Sequence, residues 1–248
     1  DEFFSAIDKD TILVSCMAVN NEVGSILPVN SIRAAVKRND SPAIIHSDCI
    51  QALSKIPVTP KALDADIITV SGHKIHALKG VGGIYIKNKG SVKPYILGGG
   101  QEQGLHSGTE AIPAILSFGA AAEEAMNISE NSLYVSSLKQ KLIEAISDIP
   151  CVTVNSPEDA IPYIVNISII GLPSQPIVNF MDEVGICISA GSACKMGHRS
   201  PVLTAMGLAP EIIDSAVRIS LSRYNTEEEI DILISAIKEA AEKYGKKR

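Results

Sequence analysis

Apolar positions along the chain follow two rhythms. Short runs of strand length alternate with stretches in which apolar residues return every three or four positions. Residues 11–19 predict a buried strand, and residues 29–38 a helix whose apolar side chains fall at Ile32, Ala35 and Val36. Residues 43–46, 66–70 and 83–86 predict three more strands, the last bounded by glycines. Strands alternating with helices predict a mainly parallel sheet with helices on both faces. Ligands of such sheets sit at the carboxyl ends of the strands, and Asp48, Ser71 and Lys74 each follow a predicted strand closely.

Two helical stretches follow, at residues 111–126 and 131–146. The pattern then changes to strands at 152–154, 163–169, 186–189 and 216–221, with a helix at 175–184. A last helix runs over 226–244, with Thr226 and Glu229 spaced as a capping box. The expected organisation is a large α/β domain over residues 1–126, then a linking helix and a smaller α+β domain over 127–248.

Composition narrows the classes. The chain has 248 residues and 46% hydrophobic content. No apolar run reaches the roughly 20 residues of a membrane span. The N-terminus shows no basic region and no long apolar stretch, so no signal peptide is expected. A net charge of −6 with no basic cluster argues against a nucleic-acid partner. Five scattered cysteines form neither a disulfide framework nor a CxxC zinc pair, so no metal is expected and a reducing cytoplasm is the expected compartment.

Five segments carry candidate chemistry. In Ser71-Gly72-His73-Lys74 a lysine follows a strand end beside a glycine, where it could form a Schiff base with an aldehyde cofactor; most lysines are surface residues. In His46-Ser47-Asp48-Cys49-Ile50-Gln51, Asp48 could keep a pyridine nitrogen protonated, with Gln51 on the same side; a helix N-cap is the other reading. In Ser189-Ala190-Gly191-Ser192-Ala193-Cys194-Lys195, small residues predict a mobile loop. Lys195, His198 and Arg199 could favour a thiolate at Cys194, whereas Cys16, Cys49 and Cys187 read as structural. The glycines at 98–100 and the run His106-Ser107-Gly108-Thr109 could cradle phosphate or merely connect. Arg218, in the middle of a strand, calls for a partner: a substrate carboxylate or a structural carboxylate.

Together these motifs closely resemble the NifS-like cysteine desulfurases of the class V aminotransferase superfamily. The matching residues are Val19-Asn20-Asn21-Glu22-Val23-Gly24, Asp48 with Gln51, Ser71-Gly72-His73-Lys74, Gly98-Gly99-Gly100-Gln101-Glu102, Ser107-Gly108-Thr109, Gly191-Ser192-Ala193-Cys194 and Arg218-Ile219-Ser220-Leu221. The resemblance implies the PLP-dependent transferase fold type I and a pyridoxal 5'-phosphate cofactor. Lys74 would hold the cofactor covalently and move protons. Asp48 would pair with the ring nitrogen, and Gln51 and Asn21 would lie at the ring. Ser71 and His73 would bind phosphate, and Thr109 the phosphate of a partner subunit's cofactor. Arg218 would clamp the carboxylate of L-cysteine, with Asn21 beside it. Cys194 would take the sulfur as a persulfide, leaving L-alanine, and pass it to an iron–sulfur scaffold or a sulfur carrier protein.

The resemblance further implies a homodimer. A selenocysteine lyase, an aminotransferase of the same superfamily and an inert fragment are the alternatives. His106 stands where the family usually has arginine, and Ser222 where glycine is common. The first residue is Asp1 and a strand-like run follows at once, which fits a chain starting within a domain, without the family's front phosphate cup.

Overall fold

The structure, a computed structural model, describes residues 2–190 and 199–245. They fall into two compact units: Asp1–Val19 with Leu27–Ile128, and Asn20–Ile26 with Ser129–Arg248. Asn20–Ile26 therefore belongs with the second unit, although in sequence it lies between elements of the first.

The first unit holds a four-stranded sheet of β1 (Leu13–Met17), β2 (Ile44–Asp48), β3 (Ile67–Ser71) and β4 (Gly82–Ile86), in that spatial order. β1, β2 and β3 are parallel, each pair separated in sequence by a segment long enough to cross back. One of those segments contains α1 (Ile32–Arg38). β4 runs antiparallel to β3 because only residues 72–81 join them, too few for a crossover.

The alternation is visible in burial. Val14, Ile45 and Ile68 are buried on one face, and Ile32, Ala35 and Val36 of α1 are buried in the same unit. The other face carries Ser15, His46, Asp48, Thr69 and Ser71, which are partly or fully exposed. The long predicted strand at 11–19 ends at Met17, while β2 extends two residues further than its apolar run and includes Asp48 as its last member. α2 (Ile112–Glu124) opens with Pro113 in its first turn, where a missing N–H costs nothing.

In the second unit α3 (Ile128–Ile146) precedes an all-antiparallel sheet of β5 (Val152–Val154), β6 (Ile164–Ile169), β8 (Ala216–Ser220) and β7 (Ser189–Ala190), in that spatial order. α4 (Ser174–Glu183) and α5 (Glu227–Tyr244) belong to the same unit, with two short helices at Pro201–Ala205 and Pro210–Asp214. Every residue of β6 is buried. Thr226 and Glu229 form both bonds of the expected capping box at the start of α5. The strand predicted at 186–189 is shifted to Ser189–Ala190. Gly185 turns the chain at φ +80° after α4, and Ile186 N–H still bonds back to Met181 O, so residues 186–188 stay outside the ladder.

Candidate active site

Five of the sequence-predicted site residues converge in the first unit, at the carboxyl edge of its parallel strands. Asp48 ends β2 and Ser71 ends the neighbouring β3, whose Thr69 lies directly opposite Asp48. Strand residues two apart share a face, so Asp48, Thr69 and Ser71 stand on the same side of the sheet. Asp48 accepts the Ile50 N–H through Oδ1 at 2.9 Å. No helix starts there, so the helix N-cap reading does not hold: one oxygen holds a turn instead, while Oδ2 has no partner among the described residues.

Lys74 lies in a single 3₁₀ turn, Gly72–Ile75, directly after β3. Its ammonium makes no hydrogen bond or ion pair with a described residue. The turn is tightly held. Gly72 N–H donates to Val81 O at 3.0 Å, and Ala77 N–H donates to Gly72 O at 3.1 Å. A Cβ on Gly72 would meet Val81, Ala77 and Phe118 of α2 at 3.0–3.3 Å, and one on Gly82 would meet Val70 O at 2.6 Å. These glycines allow the Lys74 turn to be drawn down onto β4 and α2. Ser117 Oγ of α2 accepts the Leu78 N–H at 3.0 Å and fixes the turn's far side.

Ser71 Oγ and His73 Nδ1 are 2.7 Å apart, so the two predicted phosphate ligands are already paired at the strand end. Gln51 follows Asp48 in the next turn, and its amide oxygen accepts from Lys55 Nζ at 3.1 Å, an engagement the sequence did not suggest. Thr109 is exposed, at the end of a loop closed on itself by Ser107 Oγ donating to Gly99 O at 2.8 Å. His106 in that loop bridges to Ile96 and lines an open groove with Tyr85 and Lys89.

The second unit carries another cluster. Arg218 of β8 donates from Nη1 to Asn21 O at 3.0 Å and from Nη2 to Ser189 Oγ at 3.4 Å. Its Nε is buried with no partner among the described residues. Arg218 has no carboxylate partner among the described residues, so the structural ion pair considered from sequence is not what satisfies it. Asn21 is exposed on a turn whose backbone is fixed by Asn20 Oδ1, which accepts from Glu22 N–H at 2.8 Å and Val23 N–H at 3.0 Å. Cys194, with Lys195 and His198, lies outside the described residues. Arg199, just past that segment, forms a two-pronged pair with Asp214 at 2.7 and 2.8 Å.

Among the other thiols, burial pushes Cys16 and Cys49 up from their ordinary range, which suits structural residues rather than nucleophiles. Cys187, read as structural, is instead exposed. Among the described residues no group of three or more His, Cys, Asp or Glu could hold a metal, and no helix is long and apolar enough to cross a membrane.

Residues 1–233 match the family described as aminotransferase class-V. The chain belongs to the class-V aminotransferase family. Among curated relatives, cysteine desulfurase 2 of Trichormus variabilis is 39% identical over 234 residues, covering 93% of this chain and 58% of that protein. Cysteine desulfurase IscS of Methanosarcina thermophila is 35% identical, covering 98% of this chain and 61% of that one. The chain thus spans about three-fifths of the length of these relatives. A solved NifS-like protein superposes with a TM-score of 0.89 at 36% identity, over 97% of this chain and 64% of that one. The fold is the NifS-like, type I fold of pyridoxal-phosphate enzymes.

Sequence reasoning missed one feature of this class-V sheet. His46 bridges strands through Nδ1 to Ser15 Oγ at 2.8 Å and through Nε2 to Thr69 Oγ1 at 3.0 Å. It thereby buttresses the residue opposite Asp48. Its spacing of two from Asp48 was the available signal, since it puts both on one face.

Proposed function

We propose that this chain acts as a pyridoxal-phosphate-dependent cysteine desulfurase, converting L-cysteine to L-alanine with the sulfur carried on Cys194. The observation that carries the reading is the edge of the first sheet: a lysine in a clamped turn, a paired serine and histidine beside it, and a carboxylate at the end of the neighbouring strand, the lysine and one carboxylate oxygen having no partner among the described residues. These residues fit the cofactor's three handles of aldehyde, phosphate and ring nitrogen. The names of the curated relatives support the same activity.

Lys74 would hold the cofactor through Nζ and afterwards move a proton at the substrate's α-carbon. Asp48 would hold the proton of the ring nitrogen through Oδ2, since a carboxylate favours the charged form of its partner. Ser71 and His73 would donate to phosphate, Gln51 and Asn21 would contact the ring, and Thr109 would serve the cofactor of a partner subunit. Pyridoxal phosphate, where bound, supplies the electron sink at the α-carbon. Arg218 would take the substrate carboxylate on its terminal nitrogens, an arrangement for which its planar fork is suited. The Cys194 thiolate would attack the substrate sulfur. A sulfur–sulfur bond forms, the carbon–sulfur bond breaks, and its electron pair takes up a proton at carbon to give L-alanine. The persulfide then passes to an iron–sulfur scaffold or a sulfur carrier protein. A reducing cytoplasm suits this thiol chemistry.

The test supplies L-cysteine and a reductant and measures both sulfide and alanine. Cys194→Ala should keep the visible absorbance of the bound cofactor and lose sulfide release by about a hundredfold or more. Sulfide release at the parent rate would replace this mechanism with that of a lyase, in which no enzyme thiol takes part.

A further inference from the structure

A row of polar side chains crosses the second sheet where apolar residues would be expected. β6 is buried at every position, yet it carries Asn166 and Ser168, both with no exposed surface. The ladder aligns Asn166 with Arg218, and Arg218 with Ser189. Asn155, just past β5, bonds by its N–H to Asn166 O at 2.8 Å. The row Asn155, Asn166, Arg218, Ser189 therefore spans the sheet, and only Arg218 in it is charged.

The network built on this row reaches backbone at two places, through Asn166 and Ser168. Asn155 Nδ2 donates to Asn166 Oδ1 and to Ser168 Oγ, both at 2.8 Å. Asn166 Nδ2 then donates to Glu22 O at 3.3 Å, and Ser168 Oγ donates to Ile212 O at 2.7 Å. Glu22 O follows Asn21, the residue whose carbonyl accepts from Arg218. Ile212 lies within the short helix Pro210–Asp214 that leads into β8, the strand that carries Arg218. The network grips both backbone segments that aim the guanidinium. It does so while leaving Asn155 Oδ1 buried without a partner among the described residues, an arrangement that core packing alone would not select. Gly24 completes the grip: at φ +78° it lets the turn lie against Ile164, where a Cβ would stand 3.2 Å from the Ile164 side chain.

We propose that Asn166 and Asn155 are positioning residues that hold the Asn21 carbonyl and β8 so that the Arg218 guanidinium is fixed in advance for a substrate carboxylate. The inference rests on the reading of Arg218 as the carboxylate-binding residue. With the guanidinium pinned by neutral acceptors on both sides, its charge is left for the ligand, and little ordering remains to be done on binding.

The experiment measures L-alanine binding by calorimetry with pyridoxal phosphate present, and amide hydrogen exchange over residues 22–24. Arg218→Ala should weaken binding by about thirtyfold or more. Asn166→Leu, similar in volume but unable to donate, should weaken it roughly three- to tenfold and speed exchange at residues 22–24. In the Arg218→Ala background Asn166→Leu should add nothing, because it acts through the guanidinium. Ile167→Val, on the same strand but the opposite face, should leave binding unchanged. If Asn166→Leu does not fold, Asn155→Ala, which leaves β6 intact, carries the same comparison. Folded variants that bind like the parent, or a loss that persists in full without Arg218, overturn the positioning role. A parent that binds no L-alanine, or an Arg218→Ala variant that binds like the parent, overturns the carboxylate reading of Arg218 and the inference with it.

Discussion

In the proposed mechanism Lys74 has a chemical role without a packing role. Its side chain makes no hydrogen bond or ion pair with a described residue, while the turn that bears it packs through Gly72 against Val81 and Phe118. Lys74→Ala should therefore abolish the visible absorbance of bound pyridoxal phosphate and leave the circular dichroism spectrum unchanged. Absorbance that survives would place the cofactor on another lysine, with Lys79 the next to substitute. Asp66 shows the opposite division of labour. Burial pushes its carboxyl up, but the Ile45 N–H at 2.9 Å, the Arg33 guanidinium at 2.8 Å and the more distant Lys87 outweigh that and hold it below the ordinary carboxylate range. A carboxyl lowered on folding contributes stability that is complete above its unfolded value of about 4 and is lost as pH falls through the lower folded value. Acid unfolding followed by fluorescence or dichroism should show Asp66→Asn less stable than the parent at neutral pH, with the gap closing below that range. A gap that does not change with pH would mean that Asp66 acts by shape alone.

At the scale of elements, the link between β3 and β4 governs the site. Residues 72–81 are too few to cross the sheet, so β4 must turn back, and the turn that results presents Lys74 at the strand ends. The turn back requires Gly82, since a Cβ there would lie 2.6 Å from Val70 O. Gly82→Ala should cost about 1–3 kcal/mol of stability, as overpacking generally does, and lower the unfolding temperature in a calorimetric scan. An unchanged unfolding temperature would show that β4 can retreat without loss. The apolar rhythm alone predicts both strands but not their relative direction, because direction depends on the length and closure of the link rather than on its hydrophobicity.

At the scale of the whole molecule, α2 leaves Ile112, Ile115 and Leu116 exposed, and the loop before it exposes Tyr95 and Leu97. Large apolar side chains exposed on one helix and on the loop before it suit a contact surface. The chain should sediment as a dimer, in line with the role proposed for Thr109 at a partner's cofactor. A monomer at every concentration tested would show that this surface meets something other than a second copy. The two compact units also differ in how they use sequence. The first is nearly collinear, whereas the second borrows Asn20–Ile26 from between β1 and α1. Nothing in the local pattern of residues 20–26 marks that change of allegiance. It follows from Gly24 fitting against Ile164 and from Asn166 reaching Glu22, contacts between positions more than a hundred residues apart.

The motifs legible in the sequence are those whose chemistry is local. Lys74 after its strand, Asp48 at a strand end and the Thr226–Glu229 capping box depend on neighbours within a few residues, and the structure places the elements that bear them as their spacing predicts. The helices and most strands are legible for the same reason, since burial of one face imposes a period on the sequence. The reversed β4, the His46 bridge between Ser15 and Thr69 and the polar row through Asn155 and Asn166 could be decided only in three dimensions. A lone asparagine or histidine within an apolar run carries no sign of its partners. His46 is satisfied from the strands on either side and Asn166 by Asn155 and the distant Glu22 carbonyl, and strand pairing is set by the packing of the whole sheet rather than by any one segment.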